Sequence, residues 1–232
     1  MSNETLILVP GLSCTADLFA PQIAALREFR PVVVADHTLD DSIEGIARRL
    51  LVETPGLVAV AGLSMGGYVA LEAMRQAPDR VARLALLDTS ARADTDDARA
   101  RRQEQIALAE AGRFDDVKAQ LWPRLVHPRR LDDRALKQTV LSMMDEIGPD
   151  TFVRQQSAIM GRHDARSWLS QVEIPTLVVV GDADAITPPS TRARWPRWSN
   201  GASQVVVPDC GHLSSLERPE PVIAAMRAWL AA

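Results

Sequence analysis

The hexapeptide Gly62-Leu63-Ser64-Met65-Gly66-Gly67 sets a serine two positions from a glycine on either side. It follows the apolar run 57–61 and opens the helical run 68–77, so the hydroxyl stands at a strand-to-helix turn. A nucleophile there needs small neighbours, because a strained backbone and close packing of strand against helix leave no room for side chains. A serine hydroxyl is a weak nucleophile until a base takes its proton, so the chemistry demands a histidine and an acid further along the chain. His212, in Pro208-Asp209-Cys210-Gly211-His212 after the run 204–207, is the candidate base. Asp182 and Asp184 follow the run 176–180, and both are candidate acids. His37, His127 and His163 are read as surface or lid residues, since none follows a sheet strand in the required order. Together, such groups would carry out nucleophilic acyl transfer.

Six short apolar runs must hold these residues in place: 5–9, 31–35, 57–61, 84–87, 176–180 and 204–207. Each is nearly continuous rather than alternating, which predicts strands buried on both faces of a parallel sheet. The stretches between the first four have helical spacing, as crossovers between parallel strands require. One start signal is Asp41-Ser42-Ile43-Glu44, where Asp41 can cap and Glu44 can reach back. The pattern breaks over residues 89–175, which read as short helices near 95–111, 114–121, 132–146 and 150–160, punctuated by Gly112, Pro123, Pro128 and Gly148-Pro149. Strand, helix, strand and helix then follow, ending near 221–230.

Composition excludes several classes of function. With 232 residues, 47% hydrophobic and 24% charged, the chain has the profile of an ordinary globule with a full core. The net charge of -4 is made of scattered residues and leaves no electrostatic footprint for nucleic acid. The bias of arginine over lysine carries no functional reading by itself. No apolar run approaches the roughly 18 residues of a membrane helix, so no membrane association is expected. The start of the chain does not read as a signal peptide, and Cys14 and Cys210 stand far apart, so a cytoplasmic protein with free thiols is expected. Cys14, Cys210 and His212 lack paired ligand spacing, and no metal site is expected.

The Gly62–Gly67 motif in its strand-to-helix setting, with Asp and His following in that order, resembles the α/β-hydrolase family. The resemblance runs from the first strand to the final helix. It implies an α/β fold with a mostly parallel sheet of about six strands flanked by helices. Residues 1–88 and 176–232 would form the core, with 89–175 as a helical lid between the fourth and fifth strands. The stretch Gly181-Asp182-Ala183-Asp184-Ala185-Ile186-Thr187-Pro188 resembles the family pattern Gly-x-x-Asp-x-x-x-Pro, which selects Asp184 as the acid, with Asp88 as the alternative because some members of that family carry the acid at the end of the fourth strand. By the same resemblance the oxyanion donors are the backbone N–H groups of Met65 and Leu12. Many relatives carry His-Gly where this chain has Pro10-Gly11, which leaves the hydrogen bonding of that loop open. Trp122, Met143, Met144, Met160, Trp168 and Ile186 are candidates to line an acyl pocket under the lid, or else to form core between its helices.

A serine nucleophile disfavours the haloalkane dehalogenases and epoxide hydrolases of similar outline. The implied activity is a serine carboxylesterase acting on small or medium acyl esters through an acyl-enzyme. No cofactor is implied, and the expected partner is a small-molecule ester. The same triad also serves enol-lactones, thioesters and carbon–carbon hydrolysis, and some relatives act as small-molecule receptors with slow turnover.

Overall fold

The computed structural model describes residues 4–189 and 202–232. Six strands, β1 (Thr5–Val9), β2 (Val32–Val34), β3 (Val58–Leu63), β4 (Val81–Leu87), β5 (Thr176–Gly181) and β6 (Ala202–Val207), form one sheet in the order β2-β1-β3-β4-β5-β6. Every neighbouring pair is parallel. Successive side chains on a strand point to opposite faces. Leu6 and Leu8 of β1 therefore enter one core while Ile7 and Val9 enter another. The first core is closed by α1 (Ala20–Leu26) and α8 (Pro219–Ala231), the second by α2 (Ile43–Glu53) and α3 (Met65–Gln76).

Some bounds differ from expectation, each for a local reason. At the sheet edges β2 and β6 are only partly covered, and Val33 and Val206 are exposed, so not every apolar run is buried on both faces. β4 begins at Val81, earlier than the apolar run suggests, because Arg83 is satisfied inside the strand. Its guanidinium donates to Glu4 Oε2 at 3.0 Å and to the carbonyl of Trp229 at 3.1 Å. The cap of α2 is Ser42, whose hydroxyl accepts from Gly45 N at 3.2 Å, and not Asp41. Ser42 is the last extended residue before the helix, so its oxygen meets the free N–H groups of the first turn.

Between β4 and β5 lie α4 (Asp96–Glu110), α5 (Phe114–Leu125) and α6 (Arg134–Gly161). The two helices expected at 132–146 and 150–160 are halves of α6, which bends at Gly148 (φ 76°) ahead of Pro149. α5 continues through Pro123, where the sequence suggests an end. Burial of Leu121, Trp122 and Val126 holds its last turn in place. A short helix, α7 (Ser214–Glu217), precedes α8. The helix expected between the fifth and sixth strands lies outside the described residues. Among the described residues no helix is long and apolar enough to cross a membrane.

Candidate active site

Ser64 is the residue between β3 and α3, with φ 54° and ψ -115°. A non-glycine residue held there is strained, and only surroundings that over-determine the turn keep it in place. The glycines explain how the turn closes. A Cβ on Gly62 would run into the carbonyl of Gly66, and a Cβ on Gly66 into the carbonyl of Val9. Thr89 fastens the turn by donating its hydroxyl to Ser64 O at 2.7 Å. Ser64 Oγ makes no capping bond within α3 and lies 2.9 Å from His212 Nε2.

His212 is buried in the loop after β6, and its Nδ1 lies 2.9 Å from Asp184 Oδ2. The donor sequence is then Ser64 hydroxyl to Nε2 and Nδ1–H to the carboxylate, with the tautomer set by Asp184. Asp184 Oδ1 accepts from the N–H groups of Ile186 and Thr187, each at 2.8 Å, and Oδ2 also accepts from the Thr187 hydroxyl. Burial alone would raise the Asp184 pKa. His212 and the donors from Thr187 outweigh it and bring the carboxyl down to about 2. Burial likewise opposes a charge on His212, but Asp184, through charge and hydrogen bond, and Asp88 outweigh it and raise the imidazole above its ordinary 6.5. Arg124 acts in the opposite sense.

The other candidate acids have different tasks in the structure. Asp182 accepts from Asp209 N at 3.1 Å and Cys210 N at 3.0 Å, and so braces the loop that carries His212. Asp88 is fully buried and accepts from Gly181 N at 2.9 Å and Ser214 N at 3.2 Å. Burial first, and repulsion from Asp184 second, push its pKa up to about 8. The His212 loop has two further braces. Glu217 accepts from Gly211 N at 2.9 Å and His127 N at 2.8 Å. Leu125 O, a carbonyl left free at the end of α5, accepts from His212 N at 3.0 Å and Leu213 N at 3.2 Å.

Leu12 N–H donates to no described residue, and Met65 N–H heads the first turn of α3, where no intrahelical acceptor exists. Neither N–H is taken up by another described residue. The loop that carries Leu12 owes its shape to residues remote in sequence. His37 Nε2 lies 3.1 Å from Gly11 O, and Gln155 of α6 accepts from Ser13 N at 2.9 Å. Gln155 also donates to His37 O at 3.4 Å. His37 is thus a buried loop brace and not a surface residue, with burial lowering its pKa. His163 is exposed and pairs with Glu44. His127 receives Arg129 N on Nδ1.

A family model described as the alpha/beta hydrolase fold matches residues 34–219. The chain belongs to the alpha/beta hydrolase fold family. It is 34% identical over 173 residues to the dihydrolipoyllysine-residue acetyltransferase component of the acetoin cleaving system of Pseudomonas putida, covering 74% of this chain and 45% of that protein. The chain therefore spans less than half the length of that relative. It is 27% identical over 220 residues to 3-oxoadipate enol-lactonase 1 of Acinetobacter baylyi, covering 89% of this chain and 80% of that protein. Among solved structures it is similar to a thermophilic esterase from Thermogutta terrifontis with malate bound, at TM-score 0.89 and 27% identity, covering 99% of this chain and 90% of that one. Family and relatives together support a hydrolase.

The hydrolase-fold cavity above Ser64 has a volume of about 250 Å³. Ser64, His212 and Leu12 line it, together with Leu121, Leu125 and Met144 from α5 and α6. Of the pocket candidates, Met144 and Ile186 line this cavity. Trp122 and Met143 do not: both are buried in the core, where Trp122 donates to Leu131 O at 3.3 Å. Trp168 faces a smaller hollow beside Tyr68, and Met160 lines neither space. Leu121 and Met144, one position from Trp122 and Met143 respectively, take the cavity side instead. Cys14 and Cys210 are free and buried, and burial pushes the Cys14 thiol up to about 12. Among the described residues no group of three or more His, Cys, Asp or Glu could hold a metal ion.

Proposed function

We propose that the chain is a serine carboxylesterase that hydrolyses small or medium acyl esters through an acyl-enzyme. The observation that carries this reading is the unbroken relay from Ser64 to His212 to Asp184 at the wall of a cavity with two open N–H groups. His212 takes the Ser64 proton on Nε2 as Oγ attacks the ester carbonyl. Leu12 and Met65 donate to the oxyanion of the tetrahedral intermediate, at the positive end of α3. Collapse breaks the bond to the alcohol, which leaves with the proton from His212. Water, deprotonated by the same imidazole, then attacks the acyl carbon and restores Ser64. Asp184 stays ionised throughout and stabilises the imidazolium formed in each half.

The helices 89–175 act as a lid in this reading, since α5 and α6 supply part of the lining of the cavity that holds the nucleophile. The enol-lactonase among the relatives favours lactone hydrolysis as a second reading with the same groups, because a lactone is a cyclic ester. Free buried thiols favour a reducing, cytoplasmic setting.

The test is the pH dependence of kcat/KM for a simple p-nitrophenyl ester. The free enzyme must hold His212 neutral, and its pKa is raised, so the acid limb is expected above pH 6.5, falling about tenfold per pH unit below it. No turnover at any pH would leave the receptor-like use of the fold. A profile flat down to about pH 5 would remove histidine as the base.

A further inference from the structure

The cavity above Ser64 carries a charge opposite to that of the chain. The whole sequence has a net charge of -4, yet five arginines line this one space: Arg92, Arg101, Arg102, Arg124 and Arg162. Asp94 is the one carboxylate among the described residues that line it. It is already spent. Asp94 Oδ2 receives Arg102 at 2.6 Å and Oδ1 receives Arg162 at 2.8 Å. Arg162 is buried, held also by the carbonyls of Ile159 and Arg92 and lying over the Tyr68 ring.

Arg92, Arg101 and Arg124 form no ion pair with any described residue, and residues 190–201 contain no aspartate or glutamate. They come from three separate pieces of the chain: the segment after β4, α4 and α5. Like charges converging on a concave surface with low-dielectric walls repel one another and raise the local concentration of anions. The same cavity is lined by the Ser64–His212 pair and by the apolar side chains of Leu121, Val140, Met144 and Ile159. Arg124 is near enough to His212 for its charge to count against the imidazolium.

We infer that the ester cleaved here carries a second, anionic end: a carboxylate joined by a short apolar chain to the scissile ester, as in the monoester of a short dicarboxylic acid. The carboxylate sits against the guanidinium groups of Arg92, Arg101 and Arg124, the methylenes lie on the apolar wall, and the ester carbonyl reaches Ser64. A guanidinium fork suits a carboxylate, since two N–H groups meet two oxygens. The inference rests on the ester-hydrolase reading for the position of the reacting carbon, and on the arginines alone for the anion.

Monomethyl adipate and dimethyl adipate are the probes, identical in chain and scissile group and different in charge. The parent enzyme should prefer the monoester by roughly ten- to hundredfold in kcat/KM, as charged hydrogen bonds of this kind allow. The preference should shrink between low salt and about 0.5 M NaCl. In Arg124→Gln and Arg101→Gln, and most in the double variant, the ratio of the two rates should approach one. Arg48→Gln, on the exposed face of α2 away from the cavity, should leave the ratio as it was. Calorimetric binding of both probes to Ser64→Ala, with and without the arginine substitutions, reads the anion site without turnover. Equal binding of the two probes, or a preference that survives the double arginine variant, overturns the inference while turnover of either ester keeps the esterase reading. Arginine-dependent binding of the monoester with neither probe cleaved has the opposite meaning: the anion site stands and the esterase reading falls.

Discussion

Ser64→Ala should lower kcat/KM for ester hydrolysis by about 10⁶-fold, the scale seen when a triad nucleophile is removed from a serine hydrolase. The loss is that large because base, acid and oxyanion donors act through the one oxygen that forms the covalent bond. What remains is turnover by bound water with the N–H groups of Leu12 and Met65 still in place. Folding should be untouched. The Ser64 side chain makes no cap on α3 and contributes one hydrogen bond, to His212, while alanine tolerates the backbone at φ 54° no worse than serine does. Rates of the parent and variant, measured with matched thermal melts, check this. A variant retaining a tenth of the activity would mean that the nucleophile is another group.

Asp184→Asn should cost roughly 10³–10⁴-fold in kcat/KM with little change in stability. The amide oxygen can still accept from Ile186 N and Thr187 N, so the turn keeps its shape. What changes is the face toward His212. An amide N–H2 there cannot accept from Nδ1–H, so the imidazole turns to its other tautomer and presents a proton to Ser64 in place of a lone pair. The imidazolium also loses its counter-charge. Asp88→Asn is the informative comparison. Burial and Asp184 raise the Asp88 pKa to about 8, so an amide removes less charge there than at Asp184, although its NH2 would face one of the two backbone N–H groups that the carboxyl now accepts. A severe loss in Asp88→Asn with activity retained in Asp184→Asn would exchange the roles of the two carboxylates.

Much of this arrangement was legible in the sequence because the reacting groups follow sheet strands. β3, β5 and β6 announce themselves as apolar runs, and Ser64, Asp184 and His212 each stand within a few residues of a strand end. In a parallel sheet these ends gather on one side, so order along the chain becomes proximity in space. The supports were not legible in the same way. His37 and Gln155 hold the Leu12 loop from 26 and 142 residues away along the chain, and nothing local in either segment points to that loop. The assignment of Trp122 and Met143 to the pocket failed because an apolar side chain on a helix is equally at home in a core. Which face of α5 and α6 meets the cavity depends on how three helices pack, and periodicity is silent on that. The same uncertainty hid the arginines. α4 is polar nearly all round, so its sequence does not distinguish Arg101, on the cavity, from its neighbours in solvent. Ser42 in place of Asp41 shows a smaller limit: two adjacent capping residues differ by one position, and only the backbone decides between them.

Labelling with a fluorophosphonate tests the nucleophile most directly. Its phosphorus is attacked by an activated serine and its phosphoryl oxygen occupies the oxyanion position, so reaction requires the base, the turn and the two N–H donors together. Intact mass should rise by one phosphonyl group, peptide mapping should find it on Ser64 alone, and Ser64→Ala should stay unlabelled. A single label on any other residue of the folded protein, or none on the parent enzyme, would contradict a nucleophilic Ser64.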